Sequence, residues 1–576
     1  MQLSQSTTGV PLIPESAPFT EEQRQWLNGL LAGIFSGQTV SEVAVEKPAA
    51  KGKAIIMFGS QSGNAEGLAE EFAGQLKGAG FDAPVIDMVD HAEVELEKEA
   101  NLIIVTSTWG EGEPPDNAAE FWEKLSGSDH PTLAGLNFAV CGLGDSNYLD
   151  FCGMGKKFDA RLEELGATRL VDRVDCDVDF EEAAAEWAAG LVEVVSGGAA
   201  QASQAAELAV KDVEKFSKKN PFRAQMLKNV KLNGEEGERD TRHFEICLDG
   251  SGLEYEAGDA LGVVPTNCPE VAAELIAALG FSGDEIVDTP GGEQKPLRDA
   301  FVNDYAITLP GKKLVAAIAE RAGAELDIGY LEGREIIDLV NDYPEACKFS
   351  PQELVGLLGK LQPRLYSISS SPKAHPGEVH LTVATVRYES HGRERKGVCS
   401  TFLADRCNGD GVRVFVHPSK AFKPPADRQA KMIMVGPGTG IAPFRAFLEE
   451  RRETGAPGSN WLFFGNPHRK TDFLYKAELT KMIDEGHLDR FDTAWSRDGA
   501  EKVYVQDRMR EHGEELWRWL DEGAHFYVCG DAKRMAKDVD VALHDVIANH
   551  GGLGEDGAAE FVSKMKKEKR YQRDVY

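Results

Sequence analysis

No stretch of the sequence approaches the roughly 18 consecutive apolar residues that a membrane-spanning helix needs, and the N-terminus is polar. Neither a membrane anchor nor an export signal is therefore expected. Cysteine is sparse: nine residues are scattered over 576 positions, with no CxxC pair and no His-Cys cluster. That pattern argues against a zinc site and a disulfide framework, so no metal is expected and reduced thiols in the cytoplasm fit best. Positive charge is in deficit, with 63 Lys+Arg against 95 Asp+Glu and a formal net charge of -32. Such a field repels nucleic acid and anionic membranes. A basic protein partner suits it; so does the simpler reading that acidic residues keep the chain in solution. Internal repeats are absent as well.

The chain is longer than one hydrophobic core usually organises, and a composition of 42% hydrophobic and 27% charged residues fits several globular domains. Residues 1–50 form an N-terminal extension in which Trp26, Leu27, Leu30, Leu31 and Ile34 recur at helical spacing within 20–35. That amphipathic segment either packs on its own body or assembles with a partner or with copies of itself. Residues 51–195 alternate apolar runs with helical stretches, with strand candidates at 54–58, 101–106 and 137–142, which predicts a parallel sheet covered by helices. A linker is placed at 196–218; its first part is rich in Ser, Gly, Ala and Gln, as a flexible tether would be. Residues 219–428 predict a small antiparallel barrel built from 222–265 and 364–416, with a helical insertion at about 270–360. A second βα alternation fills 429–576. The expected class is a multidomain α/β protein with two α/β parts flanking a β core.

Three loops follow strands of the first α/β part. Phe58-Gly59-Ser60-Gln61-Ser62-Gly63-Asn64-Ala65 runs from a strand into a helix and offers hydroxyls and backbone amides to a phosphate. It lacks the Lys-Ser/Thr ending of a nucleoside-triphosphatase loop, so a monophosphate suits it. Ser107-Thr108-Trp109-Gly110 and Leu143-Gly144-Asp145-Ser146-Asn147-Tyr148, with Phe151 and Cys152 beyond, follow later strands. In an open α/β sheet such loops converge on one crevice, where Trp109 and Tyr148 would sandwich a flat ring system. These segments resemble the flavodoxin-like FMN domain of the diflavin reductase family, in the same order along the chain. The resemblance implies FMN as the ligand of all three loops. Trp109 stands where bacterial members tend to carry Gln.

Arg364-Leu365-Tyr366-Ser367 sets a guanidinium suited to a pyrophosphate, an aromatic ring and a hydroxyl on one extended segment. Gly397-Val398-Cys399-Ser400 opens a helical run in the same phosphate-ready way. The pair resembles the RxYS and GxxS signatures of the ferredoxin-reductase type of FAD domain. By that resemblance Thr382, Val383, Ala384 and Tyr388 line the adenine side of an FAD, and Thr308 contacts it too. Gly436-Pro437-Gly438-Thr439-Gly440 follows a buried strand and precedes a helix, so its backbone can approach a diphosphate. Ser496, Arg497 and Lys502 supply the hydroxyl and two cations that an adenosine 2′-phosphate requires, which predicts NADPH rather than NADH. The family resemblance adds Tyr504, Gln506, Cys529 and Asp538 to that site.

The resemblance covers nearly everything from Ala54 to Tyr576 and is strongest to the sulfite-reducing branch of the diflavin reductases. It implies that Ser367, Cys529 and Asp574 aid hydride transfer and that the terminal aromatic Tyr576 covers the FAD ring and swings aside for nicotinamide. It implies a route from NADPH to FAD to FMN to a sirohaem iron–sulfur hemoprotein subunit, in sulfur assimilation and cysteine biosynthesis. A reductase serving a haem monooxygenase or another acceptor stays open, because only the partner discriminates.

Overall fold

The structure is a computed structural model that describes residues 51–60, 63–109, 112–128, 130–145, 150–178, 180–196, 216–407 and 411–576. Lys53–Tyr576 forms one compact unit. The amphipathic segment at 20–35 and the linker stretch 197–215 lie outside the described residues, as do Gln61, Ser62, Gly110, Ser146, Asn147 and Tyr148.

The first sheet contains β1 (Ile55–Gly59), β2 (Val85–Asp87), β3 (Asn101–Ser107), β4 (Asn137–Leu143), β5 (Thr168–Arg169) and β6 (Val174–Cys176). Its strands are parallel in the order β2-β1-β3-β4-β5, with β6 also paired to β4. This is the flavodoxin-like order, and it places the topological switch between β1 and β3. The near-continuous apolar runs read in the sequence follow from burial on both faces. Ile56, Phe58, Ile103 and Val105 enter one core, whereas Ile55, Met57, Leu102 and Ile104 enter the other. Helices Asn64–Gly78 and Gly153–Glu164 carry the chain back from the crevice.

The middle of the chain is antiparallel. Strands β7 (Phe222–Ala224), β8 (Met226–Lys231), β9 (Thr241–Cys247) and β10 (Ala260–Val264) precede the insertion. The insertion is mostly helical, from Pro269–Ala278 to Pro351–Leu357, and closes its own core around Phe301, Leu314, Ile318, Leu339 and Leu354. It also contains a short hairpin, β11 (Ile286–Asp288) with β12 (Gln294–Pro296), that helical composition alone does not reveal. Strands β13 (Arg364–Ser367), β14 (Glu378–Ala384), β15 (Arg387–Ser390), β16 (Arg393–Lys396) and β17 (Val412–His417) then return to the β core. Two sheets, β13-β10-β17-β7 and β14-β9-β8, enclose Phe244, Leu261, Val263, Leu381 and Val414, and a bridge between Ile368 and Leu381 joins them.

The last sheet is parallel, with β18 (Met432–Val435), β19 (Asn460–Asn466), β20 (Arg490–Trp495), β21 (His525–Gly530) and β22 (Tyr571–Val575) in the order β20-β19-β18-β21-β22. Alternation again divides it: Ile433, Val435, Trp461 and Phe463 pack on one side, Met432, Met434, Leu462 and Phe464 on the other. Among the described residues no helix is long and apolar enough to cross a membrane.

Candidate functional site

At the end of β1, Ser60 turns its hydroxyl back to accept hydrogen bonds from the amides of Gly63 (2.9 Å) and Ala65 (3.2 Å). Gly63 sits at φ 86°, a left-handed conformation that favours glycine, and it starts helix Asn64–Gly78 without a side-chain cap. A helix start whose N-cap is a glycine, beside a turn of small hydroxyl residues, fits a phosphate. The Ser60 amide donates to Asn117 Oδ1 at 2.9 Å, and Asn117 donates to Asp87 Oδ1 at 2.8 Å. Burial raises the Asp87 carboxyl above its usual range, against the Val89 amide and the Asn117 side chain, which lower it. Asn117 carries no local sequence signal, since its partner in the loop lies 57 residues away.

The other two loops meet at the same edge. The Thr108 hydroxyl accepts from the Met154 amide at 3.1 Å, and the Thr108 amide donates to the Leu143 carbonyl at 3.1 Å. Cys152, at φ 53°, precedes helix Gly153–Glu164 and is fully buried, with Sγ 3.4 Å from the Gly142 carbonyl. Burial pushes its thiol far up, so it packs as a neutral small group. Ser107 and Leu143 close the two strand ends, and the Gly144 amide donates to the Cys176 carbonyl at 3.0 Å. Half-buried Trp109 packs against the core of the last sheet, so the ring loop faces the nicotinamide-side module. Ion pairs join the same surfaces: Arg573 with Asp116 (3.1 Å), Lys567 with Asp90 (3.3 Å) and Lys537 with Glu113 (3.6 Å).

On the β core, Arg364 and Leu365 are exposed while Tyr366 and Ser367 are half-buried. Arg364, Thr308 and Val398 line one cleft together with Asn267 and Gln362. Asn267 Oδ1 is buried there without a partner, although its amide nitrogen donates to the Phe301 and Tyr305 carbonyls. The exposed Arg364 guanidinium and the helix start without a side-chain cap at Val398–Thr401 supply donors that fit a nucleotide pyrophosphate. Asn267 was not singled out from the sequence. Ser400 Oγ accepts from the Val386 amide at 3.1 Å and so ties the Gly397–Ser400 turn to the chain just past β14. Cys399 is fully buried, and burial pushes its thiol up to about 12.

The adenine-side residues separate. Val383 points into the β core, Ala384 and Tyr388 are exposed, and Thr382 faces outward, with its hydroxyl 2.6 Å from Tyr475 Oη. Strand alternation sends Thr382 and Val383 to opposite faces. Thr382 thereby joins a buried polar group that includes His243, His380 and Arg445, at the seam with the last sheet.

The seam's other side brings Ser367, Cys529 and Asp574 together and pairs Thr439 with Tyr576. Ser367 Oγ donates to Asp574 Oδ2 at 2.6 Å, and Cys529 Sγ lies 3.6 Å from the same oxygen. Cys529 and Asp574 are register partners across β21 and β22. Burial raises the Asp574 carboxyl, while hydrogen bonds from Ser367 and Cys529 pull it down. Burial and the adjacent Asp574 push the Cys529 thiol well above its usual range. The Thr439 hydroxyl lies 2.8 Å from Tyr576 Oη, and Tyr576 is 56% exposed. Gly438–Gly440 forms a tight turn before helix Ile441–Thr454, and a Cβ on Gly440 would stand 2.0 Å from the Cys529 carbonyl oxygen. Such backbone proximity fits a diphosphate turn.

At the end of β20, the amides of Ser496 and Arg497 donate to the Asn466 and Pro467 carbonyls (3.2 and 3.0 Å), which fixes the turn. Arg497 and Lys502 are exposed and, among the described residues, without an ion-pair partner, as a pair awaiting an anion would be. Gln506 donates to Asp538 at 3.2 Å, so these two candidates are neighbours; Tyr504 is exposed at the start of helix Val505–Glu511.

Family models match in the same order as the three sheet systems: "Flavodoxin" over residues 56–187, "FAD binding domain" over 214–322 and 312–402, and "Oxidoreductase NAD-binding domain" over 434–540. The chain is 46% identical to the sulfite reductase [NADPH] flavoprotein alpha-component of Bacillus subtilis (strain 168), over 97% of this chain and 96% of that protein. It is 44% identical to the protein of the same name from Klebsiella pneumoniae, and 43% identical to that from Escherichia coli O9:H4, each over 98% of both chains. The chain belongs to the sulfite reductase [NADPH] flavoprotein alpha-component family, an oxidoreductase family, and its cofactors are FMN, FAD and NADPH.

Proposed function

We propose that this protein takes electron pairs from NADPH and delivers them one at a time to a sirohaem iron–sulfur hemoprotein, which converts sulfite to sulfide. When bound, FAD supplies two-electron chemistry toward NADPH, and FMN supplies one-electron chemistry toward an iron centre. The protein's own share is binding, orientation and the exclusion of water.

In this reading the Ser60–Ala65 turn would hold the FMN phosphate, and Trp109 and Tyr148 are the aromatics assigned to its ring. Arg364 and the turn at Gly397–Ser400 hold the FAD pyrophosphate, with Tyr366 against the ring. Gly438 and Thr439 approach the nicotinamide nucleotide's diphosphate, while Ser496, Arg497 and Lys502 grip its 2′-phosphate. Tyr576 would cover the FAD ring and would have to swing aside for nicotinamide to reach it. Asp574, held by Ser367 and Cys529, places a negative charge where positive charge develops on nicotinamide. We place the domain bounds at 51–195, 219–428 and 429–576, with 196–218 assigned as the linker between the FMN part and the rest. The N-terminal segment 1–50 assembles copies of the chain, and the protein works in the cytoplasm.

The observation that carries this reading is the meeting of Ser367, Cys529 and Asp574, drawn from three elements, at the carboxyl edge of the last sheet. The purified protein, supplied with FMN and FAD, is expected to bind one of each and to reduce ferricyanide and cytochrome c with NADPH. Adding a sirohaem hemoprotein should yield sulfide from sulfite. Sulfide formation failing while a haem monooxygenase is reduced would reassign the acceptor; a colourless protein would overturn the reading altogether.

A further inference from the structure

We propose that Arg445 and Glu449 form a positioning clamp that sets the register between the nicotinamide-side glycine turn and the FAD-side strand. The inference rests on the function proposed above and concerns residues that neither sequence motif contains.

Arg445 and Glu449 stand one turn apart on helix Ile441–Thr454, which begins directly after Gly440. Both are buried, at 6% and 2% exposure. Together they grip the backbone just beyond Ser367. Arg445 Nη1 donates to the Ser369 carbonyl at 2.5 Å, and Glu449 Oε2 accepts from the Ser371 amide at 2.9 Å. Arg445 Nη2 lies 2.8 Å from Glu449 Oε1, and Arg445 Nε lies 2.8 Å from Glu478 Oε1. Glu449 Oε1 also meets His375 Nε2 at 3.0 Å, and the guanidinium lies 5.2 Å from the Tyr475 ring centroid.

Buried ion pairs are poor stabilisers compared with apolar packing, because desolvation offsets most of their attraction. What this pair supplies is direction. A planar guanidinium and a carboxylate hold one carbonyl and one amide at fixed angles, which apolar contacts would leave free to slide. The helix that starts at the glycine turn is thereby locked to the segment two residues past Ser367. A shift of either would alter how nicotinamide meets the flavin, and misplacement by about 1 Å costs such a step on the order of 100-fold.

The test uses Arg445→Gln, Arg445→Lys and Glu449→Gln in the full-length, flavin-loaded protein. The rate at which NADPH bleaches flavin absorbance should fall about 100-fold in Arg445→Gln, and the primary isotope effect with 4-deuterated NADPH should change. NADP+ affinity and dithionite-driven delivery to cytochrome c should stay within about twofold of wild type. Lys should recover part of the rate, since it keeps one donor for the Ser369 carbonyl. Independently of activity, the Ser371 amide should exchange faster with deuterium in Glu449→Gln. A flavin-loaded Arg445→Gln bleached at the wild-type rate would overturn the proposal, as would a slower rate matched by an equal loss of NADP+ affinity and flavin content. If Arg445→Gln does not retain its flavins, the bleaching rate of Glu449→Gln decides by the same criteria. Should wild type itself fail to bleach, the proposed function falls instead.

Discussion

Ser367 and Asp574 are 207 residues apart in sequence, and their side chains share a 2.6 Å hydrogen bond. Burial raises the Asp574 carboxyl, so its ionised form is held at a cost. A raised acid contributes stability that is present below its unfolded pKa and lost as pH rises through the folded one. Asp574→Asn is therefore expected to be at least as stable as wild type at neutral pH, while NADPH-driven flavin reduction slows about 100-fold. Stopped-flow bleaching with thermal melts at pH 5 and pH 8 measures both.

Arg497 and Lys502 bear on nucleotide choice. Each charge-assisted contact is worth about 1.5–3 kcal/mol, or roughly tenfold or more in affinity. Arg497→Ala and Lys502→Ala should each raise the KM for NADPH about tenfold, with kcat little changed and NADH kinetics unaffected. Steady-state ferricyanide reduction with both nucleotides checks this.

His243 and His380 titrate at the seam between the β core and the last sheet. Burial, with Arg445 close by, depresses them to about 4 and about 2, and they also face Glu245, Glu378, His375, Lys228 and Tyr475. A depressed histidine contributes stability that is complete above its unfolded pKa and is lost as pH falls toward the folded one. Stability should therefore decline from about pH 6.5 to pH 4, with His243 alone contributing at most about 3 kcal/mol. Melting temperatures across that window should fall in wild type and vary less in His243→Gln.

Asp116 and Arg573 link the FMN-side loop to the strand that carries Asp574. The neighbouring pairs are more exposed and worth at most about 1 kcal/mol each. Arg573→Gln should leave ferricyanide reduction unchanged and alter cytochrome c reduction severalfold, with a weaker salt dependence than wild type. Paired assays at low and high salt decide.

Gly440 admits no side chain, because the Cys529 carbonyl occupies that space. Gly440→Ala should fold, yet lose at least about tenfold in NADPH-driven reduction as the turn shifts. Nucleotide titration and flavin bleaching report it.

Local motifs were legible wherever the residues that compose them are neighbours in sequence. The β1 turn at Ser60–Ala65 and the Gly436–Gly440 turn each combine strand, small residues and helix start within a few positions, and the Arg364–Ser367 strand gathers its cation, ring and hydroxyl on four consecutive residues, so periodicity and local chemistry reveal them. The strands themselves were equally plain, because burial on both faces makes each a continuous apolar run.

Asn117, Asn267, Arg445 and Glu449 were not legible, since each acts on a backbone group or cleft far away along the chain. The contact of Thr382 with Tyr475 was likewise not legible, because the two lie 93 residues apart. The sequence alone determined the order of the modules and the local chemistry of each loop, because backbone propensity and side-chain type act over a few residues. Only the tertiary structure decided which loops share a cleft and which buried charges lock one module to the next, because those contacts exist only once sheets from distant segments pack together.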